Sequence, residues 1–132
     1  MSGETELEHL IALMEPKLIE GEFVFCTEKD KVYGDRVELN PLASYQEAEG
    51  LSLLLDKRQA DLAGLEYVSV FRGISLTVHS SLDAVGFTAA IASKLAANSI
   101  PANVIAAHFH DYVFVPVEKA EDTLRLLNEL KI

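Results

Sequence analysis

The stretch LTVHSSLDAVGFTAAIASKLAANSIPANVIAAHFHD, residues 76–111, carries the end of one strand, a whole helix and the start of another strand, and that order decides the fold. Leading into it, Ile74, Leu76 and Val78 alternate with Gly73, Ser75, Thr77 and His79. A period of two puts aliphatic side chains on one face and small polar groups on the other. Such a half-buried strand belongs in an antiparallel sheet with helices on one side only. Ser80 and Asp83 stand at capping-box spacing, with the acid in the first turn, where the helix dipole favours it. The inward stripe is then expected at Val85, Ala89, Ala92 and Ala96, broadened by Leu82 and Leu95. Asn98 should take the left-handed conformation that ends the helix, and Pro101 forbids its continuation. NVIAAHF and YVFVPV follow as two strands around a turn expected at His110-Asp111.

Working outward, Glu118 to Leu130 reads as a last helix with Ala120, Leu124, Leu127 and Leu130 inward and Glu121 paired with Arg125 at i, i+4. On the N-terminal side, Thr5 to Glu8 forms a capping box, and Leu7, Leu10, Ile11 and Met14 line one face of a helix stopped by Pro16. EFVFCT reads as a strand, and the polar stretch from Glu28 to Glu49 as a long, partly irregular excursion. GLSLLLD suits a buried strand, after which Asp56 caps a helix over Lys57 to Ala63 that Gly64 ends.

LLLDKRQADL at 53–62 and VPVEKAEDTL at 115–124 both pass from an apolar strand through acid-Lys into a helix, which suggests a duplicated unit. The division expected is residues 1–65 and 66–132. Residues 66–79 are positioned to serve both halves, because neither chain end has length for the outer strand of a complete βαββαβ unit.

Composition excludes several functions. Eleven Lys and Arg against 21 Asp and Glu give a net charge of −10, which repels nucleic acid. A single cysteine, Cys26, rules out a disulfide framework within one chain. No apolar run approaches the ~18 residues that span a bilayer, and MSGETELEHL lacks the features of a signal sequence. A soluble, cytoplasmic chain with no membrane role is expected. No phosphate loop, dinucleotide fingerprint or nucleophile elbow is present, so no catalytic residue is assigned and the chain is not expected to be an enzyme.

SLTV, HSSLDAVG, LAANSI and NVIAA together resemble the ACT domain, a small ferredoxin-like βαββαβ regulatory module. MEPKLIEGEFVFCT, EAEGLSLLL and NVIAAHFHDYVFVPV extend the likeness to short bacterial proteins made of two tandem ACT-like halves. The resemblance implies an α+β fold whose antiparallel sheets carry helices on one face. It also implies a sensor that binds an amino acid or similar small polar metabolite, needs no cofactor, and can act as a homodimer or on a regulated partner protein. Carried over by motif, the ligand site is His79, Ser80, Ser81, Leu82, Asp83 and Gly86, with Asn103 and Val104.

The residues themselves carry two readings at each of these positions. Ser80 and Ser81 cap a helix, while the amides they leave over attract a carboxylate. Gly86 in a helix interior would cost about 1 kcal/mol relative to Ala, which close packing or room for a ligand would offset. Asn103 suits a turn, or a ligand with both ammonium and carboxylate groups. Glu47 and Glu49 read as solvated loop acids. Two alternatives stand beside the sensor: an interaction module whose sheets pair through the Ser75 and Thr77 face, and a metal-dependent enzyme using His108 and His110, which in a strand would point the same way beside Asp111.

Overall fold

A computed structural model of the chain describes residues 3–78 and 85–131. The chain forms two compact units, one of residues 21–71 and the other of the chain up to Glu20 together with the chain from Arg72 onward.

The split unit contains helix α1 (Gly3–Leu13), strand β1 (Pro16–Leu18), most of strand β5 (Phe71–Leu76), helix α3 (Phe87–Ala96), strands β6 (Asn103–Ala106) and β7 (Asp111–Pro116), and helix α4 (Ala120–Glu129). Its strands lie in the order β1-β5-β7-β6. Counted from β5, the unit runs strand, helix, strand, strand, helix, and the fourth strand of a ferredoxin-like sheet is supplied by β1. Pro16 pairs with Leu76 and Leu18 with Ile74, antiparallel. A three-residue strand opening on proline carries no periodicity of its own, and proline is tolerated at a strand's first residue because only edge positions can spare the donor.

The core of this unit sits under the helices. Ile74, Leu76, Val113 and Val115 point from the sheet into a cluster with Met14, Phe87, Ile91, Leu95 and Leu127. The inward stripe of α3 is therefore Phe87, Ile91 and Leu95; Leu95 is inward as expected, but the rest of the expected stripe is displaced: Val85 is 84% exposed, and Ala89 and Ala96 face solvent. Bulk decides the phase, since Phe, Ile and Leu recur at four-residue spacing and bury far more apolar area than the alanines beside them. The helix closes on Ser99 rather than Asn98: Ser99 takes φ 59, its N–H donates to Ala96 O at 3.0 Å and the Ile100 N–H to Leu95 O at 2.9 Å. This is the Schellman pattern, moved one residue on from the expectation.

In α4 the buried positions are Ala120, Thr123, Leu126 and Leu127, with Leu124 and Leu130 only partly covered. Thr123 is accommodated because its hydroxyl donates to Lys119 O at 2.7 Å. Arg125 pairs with Glu129 at 2.8 Å and Asp122 at 3.7 Å, not with Glu121.

The second unit contains strands β2 (Phe23–Glu28), β3 (Ala43–Glu47) and β4 (Gly50–Asp56) and helix α2 (Lys57–Ala63), with strands ordered β3-β4-β2 and Phe71 paired to Phe23 beyond β2. It has the same strand plan, with an irregular crossover where the first helix would be. That crossover is more ordered than the expected excursion, since it contains the strand β3 and a 3-10 turn, Val37–Leu39. Leu39 drops into the core with Val24, Cys26, Leu51, Leu53, Leu55 and Ala60. Arg36 (φ 65) and Asn40 (φ 51) bracket the turn, and Arg36 is held to Glu28 by two bonds of 2.5 and 2.8 Å.

The β4-to-α2 junction follows its local signals. Asp56 accepts from the Arg58 N–H and Gly64 closes the helix at φ 70. The β7-to-α4 junction instead passes through a 3-10 turn, Val117–Lys119, whose N-cap, Pro116, makes no side-chain cap hydrogen bond.

The Glu28–Arg36 pair gives a pH prediction. The hydrogen bond from Arg36 holds the Glu28 carboxyl below its ordinary value. A depressed carboxylate contributes stability above its unfolded pKa, near 4.3, and loses that contribution as pH falls through the folded value. Glu28→Gln should therefore lower the unfolding midpoint at pH 7, with the deficit against the wild type closing below pH 4. A deficit equally large at pH 3 would assign the effect to shape instead of charge.

Candidate ligand site

Of the expected site residues, His79, Ser80, Ser81, Leu82 and Asp83 lie outside the described residues. Gly86, Asn103 and Val104 are described, all in the split unit.

Gly86 is not in a helix interior. It is the N-cap of α3 with φ 93, a left-handed value that L side chains rarely adopt, and its carbonyl accepts from the Ala90 N–H at 2.9 Å. The interior penalty therefore does not arise, and the reason for glycine here is conformational. A Cβ at this position would lie 3.3 Å from Leu7 Cδ2, so α1 approaches closely. Glycine brings no side-chain acceptor, and among the described residues α3 begins without a side-chain cap hydrogen bond. Its first-turn amides have no intrahelical partner.

Asn103 opens β6 opposite Phe114, and its Nδ2 donates to Phe114 O at 3.2 Å. Half of its carboxamide is thus committed to the sheet, while the residue stays exposed at the edge strand. Val104 faces Val113 and packs against the core that Leu7 also touches. Gly86, through Leu7, and Val104 thus border one apolar cluster.

Two polar groups are buried without a hydrogen-bond partner among the described residues: Arg72 Nε, in β5, which sequence reasoning did not assign, and His110 Nδ1, one of the histidine pair of the metal alternative. The guanidinium Nη2 of Arg72 makes only a long contact, 3.5 Å, to Ile19 O. His108 and His110 do not share a strand face. They lie in the β6–β7 turn, where the Ala107 N–H donates to His110 O at 3.1 Å and Asp111 already belongs to β7, opposite Ala106. His108 instead stacks edge-on against Phe109 at 4.8 Å. Among the described residues no three His, Cys, Asp or Glu groups converge as metal ligands would.

Cys26 is buried, and burial first, then the nearby charges of Glu28 and Asp61, pushes its thiol up from the ordinary value. It is held as a thiol, the unreactive form. At the outer side of α2, Asp61 accepts from the Tyr67 hydroxyl at 2.7 Å and from Lys57 at 2.9 Å. Those two bonds lower the Asp61 pKa and raise those of Tyr67 and Lys57. This is an exposed clamp joining α2 to the segment after it.

Among the described residues no helix is long and apolar enough to cross a membrane. Residues 2–72 match one ACT domain model and residues 68–129 a second. The Vibrio cholerae protein VC0802, of unknown function, is 46% identical over 99% of this chain and 100% of its own, with a TM-score of 0.89. Atu0741 from Agrobacterium tumefaciens, at 15% identity and 89% of both chains, superposes with a TM-score of 0.72. The ligand-free regulatory subunit of aspartate kinase from Thermus thermophilus, at 13% identity over 87% of this chain and 95% of that one, gives 0.64. No curated protein matches the chain.

Proposed function

Because the chain belongs to the ACT domain family, with one match over each part of its length, we propose that it is a non-catalytic regulatory module that binds an amino acid or similar small polar metabolite. The observation that carries the reading is the start of α3, where the N-cap residue Gly86 offers no side chain to the first-turn amides and no described residue caps them. A helix N-terminus of this kind attracts a carboxylate, and an amino acid always brings one. The ligand site consists of that turn, with the preceding residues His79 to Asp83, and of Asn103 and Val104 at the start of β6. The Asn103 carboxamide oxygen is the group suited to accept from the ligand's ammonium. The fold likeness to an aspartate kinase regulatory subunit agrees with a regulatory role, in which the ligand shifts the balance between two arrangements of the protein or its homodimer. A regulated partner protein receives that shift. The acidic chain, without a membrane-crossing helix among its described residues, acts in the cytoplasm.

The test is a thermal-shift panel of the twenty amino acids and related metabolites. A ligand at one hundred times its dissociation constant adds about 2.7 kcal/mol, which for a chain of this size raises the midpoint by roughly 10 °C. One or a few compounds should do this, and Asn103→Ala should shrink the response. A flat panel at millimolar concentrations would overturn the proposal and favour an interaction module that works without ligand.

A further inference from the structure

The edge of the residue 21–71 unit carries a second kind of site. Strand β3, Ala43–Glu47, pairs with β4 on one side and, among the described residues, with nothing on the other. Edge strands are normally defended against pairing by lysine, proline, a bulge or a covering element. ASYQE has neither lysine nor proline, and four of its five residues are exposed. It carries one exposed tyrosine, Tyr45, and a second, Tyr33, is bonded to it. Tyr45, 73% exposed, shares a face with Glu47 by the alternation of the strand. Tyr33, 79% exposed, is tied by its backbone N–H to Gln46 Oε1 at 2.6 Å, on the side that Ser44 and Gln46 occupy.

The charges around this edge are unbalanced. Residues 28–49 contain six carboxylates against three cations, and one of those cations, Arg36, is already engaged by Glu28 and Glu38. A second copy of the chain would bring a further net charge of −10 to the same edge, which opposes self-pairing there.

We propose that the open edge of β3 receives an extended, cationic segment of a partner protein, added as a further antiparallel or parallel strand. Main-chain hydrogen bonds supply the docking, and alternate side chains supply the choice of partner. Lys or Arg side chains on one face of the incoming segment meet the Glu47 carboxylate and lie over the Tyr45 ring, where a cation is attracted to the π face. This output surface does not depend on the metabolite reading of α3, and each can fail alone.

The experiment is selection from a random dodecapeptide display library against the full-length chain, followed by amide chemical-shift mapping with an enriched peptide. Enriched sequences should place Lys or Arg at alternate positions among β-branched residues, and the shifts should centre on residues 42–48. Glu47→Lys and Tyr45→Ser should each weaken binding at least tenfold while leaving the melting curve in place. Failure to enrich any sequence, enrichment without alternating cations, shifts centred elsewhere, or undiminished binding to both variants would overturn the proposal. So would a concentration-dependent dimer that Tyr45→Ser abolishes, which would give the edge to a second copy.

Discussion

Replacing Gly50 with alanine is expected to cost roughly 3–5 kcal/mol of stability. Gly50 opens β4 at φ +153, outside the range that L side chains commonly adopt, and a Cβ there would sit 2.7 Å from Glu28 O and 2.9 Å from Lys29 Cα. Both obstacles are backbone atoms, so no rotamer change relieves them. Moving Glu28 away would break its pairing with Leu51, the last register pair between β2 and β4, and disturb the carboxylate that holds Arg36. Domains are stable by only 5–15 kcal/mol in total, so the change removes a large share. Thermal denaturation followed by circular dichroism should show the midpoint falling by roughly 10–20 °C. A fall under about 3 °C would mean that the Glu28–Lys29 backbone yields.

The second large effect lies in the split unit, on the sheet face away from its helices. Phe114 is 1% exposed, and a Cβ at Gly73 would lie 2.7 Å from its Cε1 and 3.1 Å from Ile19 Cδ1. The ring fills the space that glycine leaves. Phe114→Ala should cost roughly 3–5 kcal/mol through the cavity it opens. Gly73→Ala should cost about 1–3 kcal/mol by overpacking. The two are coupled, because Leu at position 114 has no atom where the ring edge stood. In a Phe114→Leu background the alanine at 73 should therefore be tolerated about 1–2 kcal/mol better than in the wild type. Additivity within about 0.5 kcal/mol, measured by denaturant titration of the four-member cycle, would dismiss the ring as the obstacle.

What could be read in advance was what is decided locally. Asp56 and Gly64 bracket α2 as expected because a side-chain acceptor and a left-handed glycine act over one turn. The strands FVFCTE and GLSLLLD were legible from β-branched and apolar content. The elements that sequence reasoning missed depend on distant partners. β3 is a polar run whose strand character comes from its ladder with β4, and β1 is three residues that become a strand beside β5. The phase of α3 differs from a stripe counted from Ser80 because the described helix begins after Gly86. In an alanine-rich segment a shifted start produces an equally regular but wrong stripe.

The candidate site divides in the same way. The resemblance identified Gly86 as a special position, and the reason for it, a positive φ at a cap, is a backbone property that composition does not display. Asn103 at a strand entrance was legible, but its bond to Phe114 O needs the register of the hairpin. The strand reading of the histidine pair failed because the turn falls at residues 107–110, earlier than His110-Asp111.

The placement of β1 also bears on how the molecule is made. Its three residues leave the ribosome before the whole of the residue 21–71 unit, yet they pair with Ile74 to Leu76, and α1 packs on a core completed by Leu127. The N-terminal segment must therefore wait until the chain has been made as far as Leu127, while the intervening unit carries a core of its own. Contacts this distant in the chain also slow folding, because a long loop has to close before they give any return.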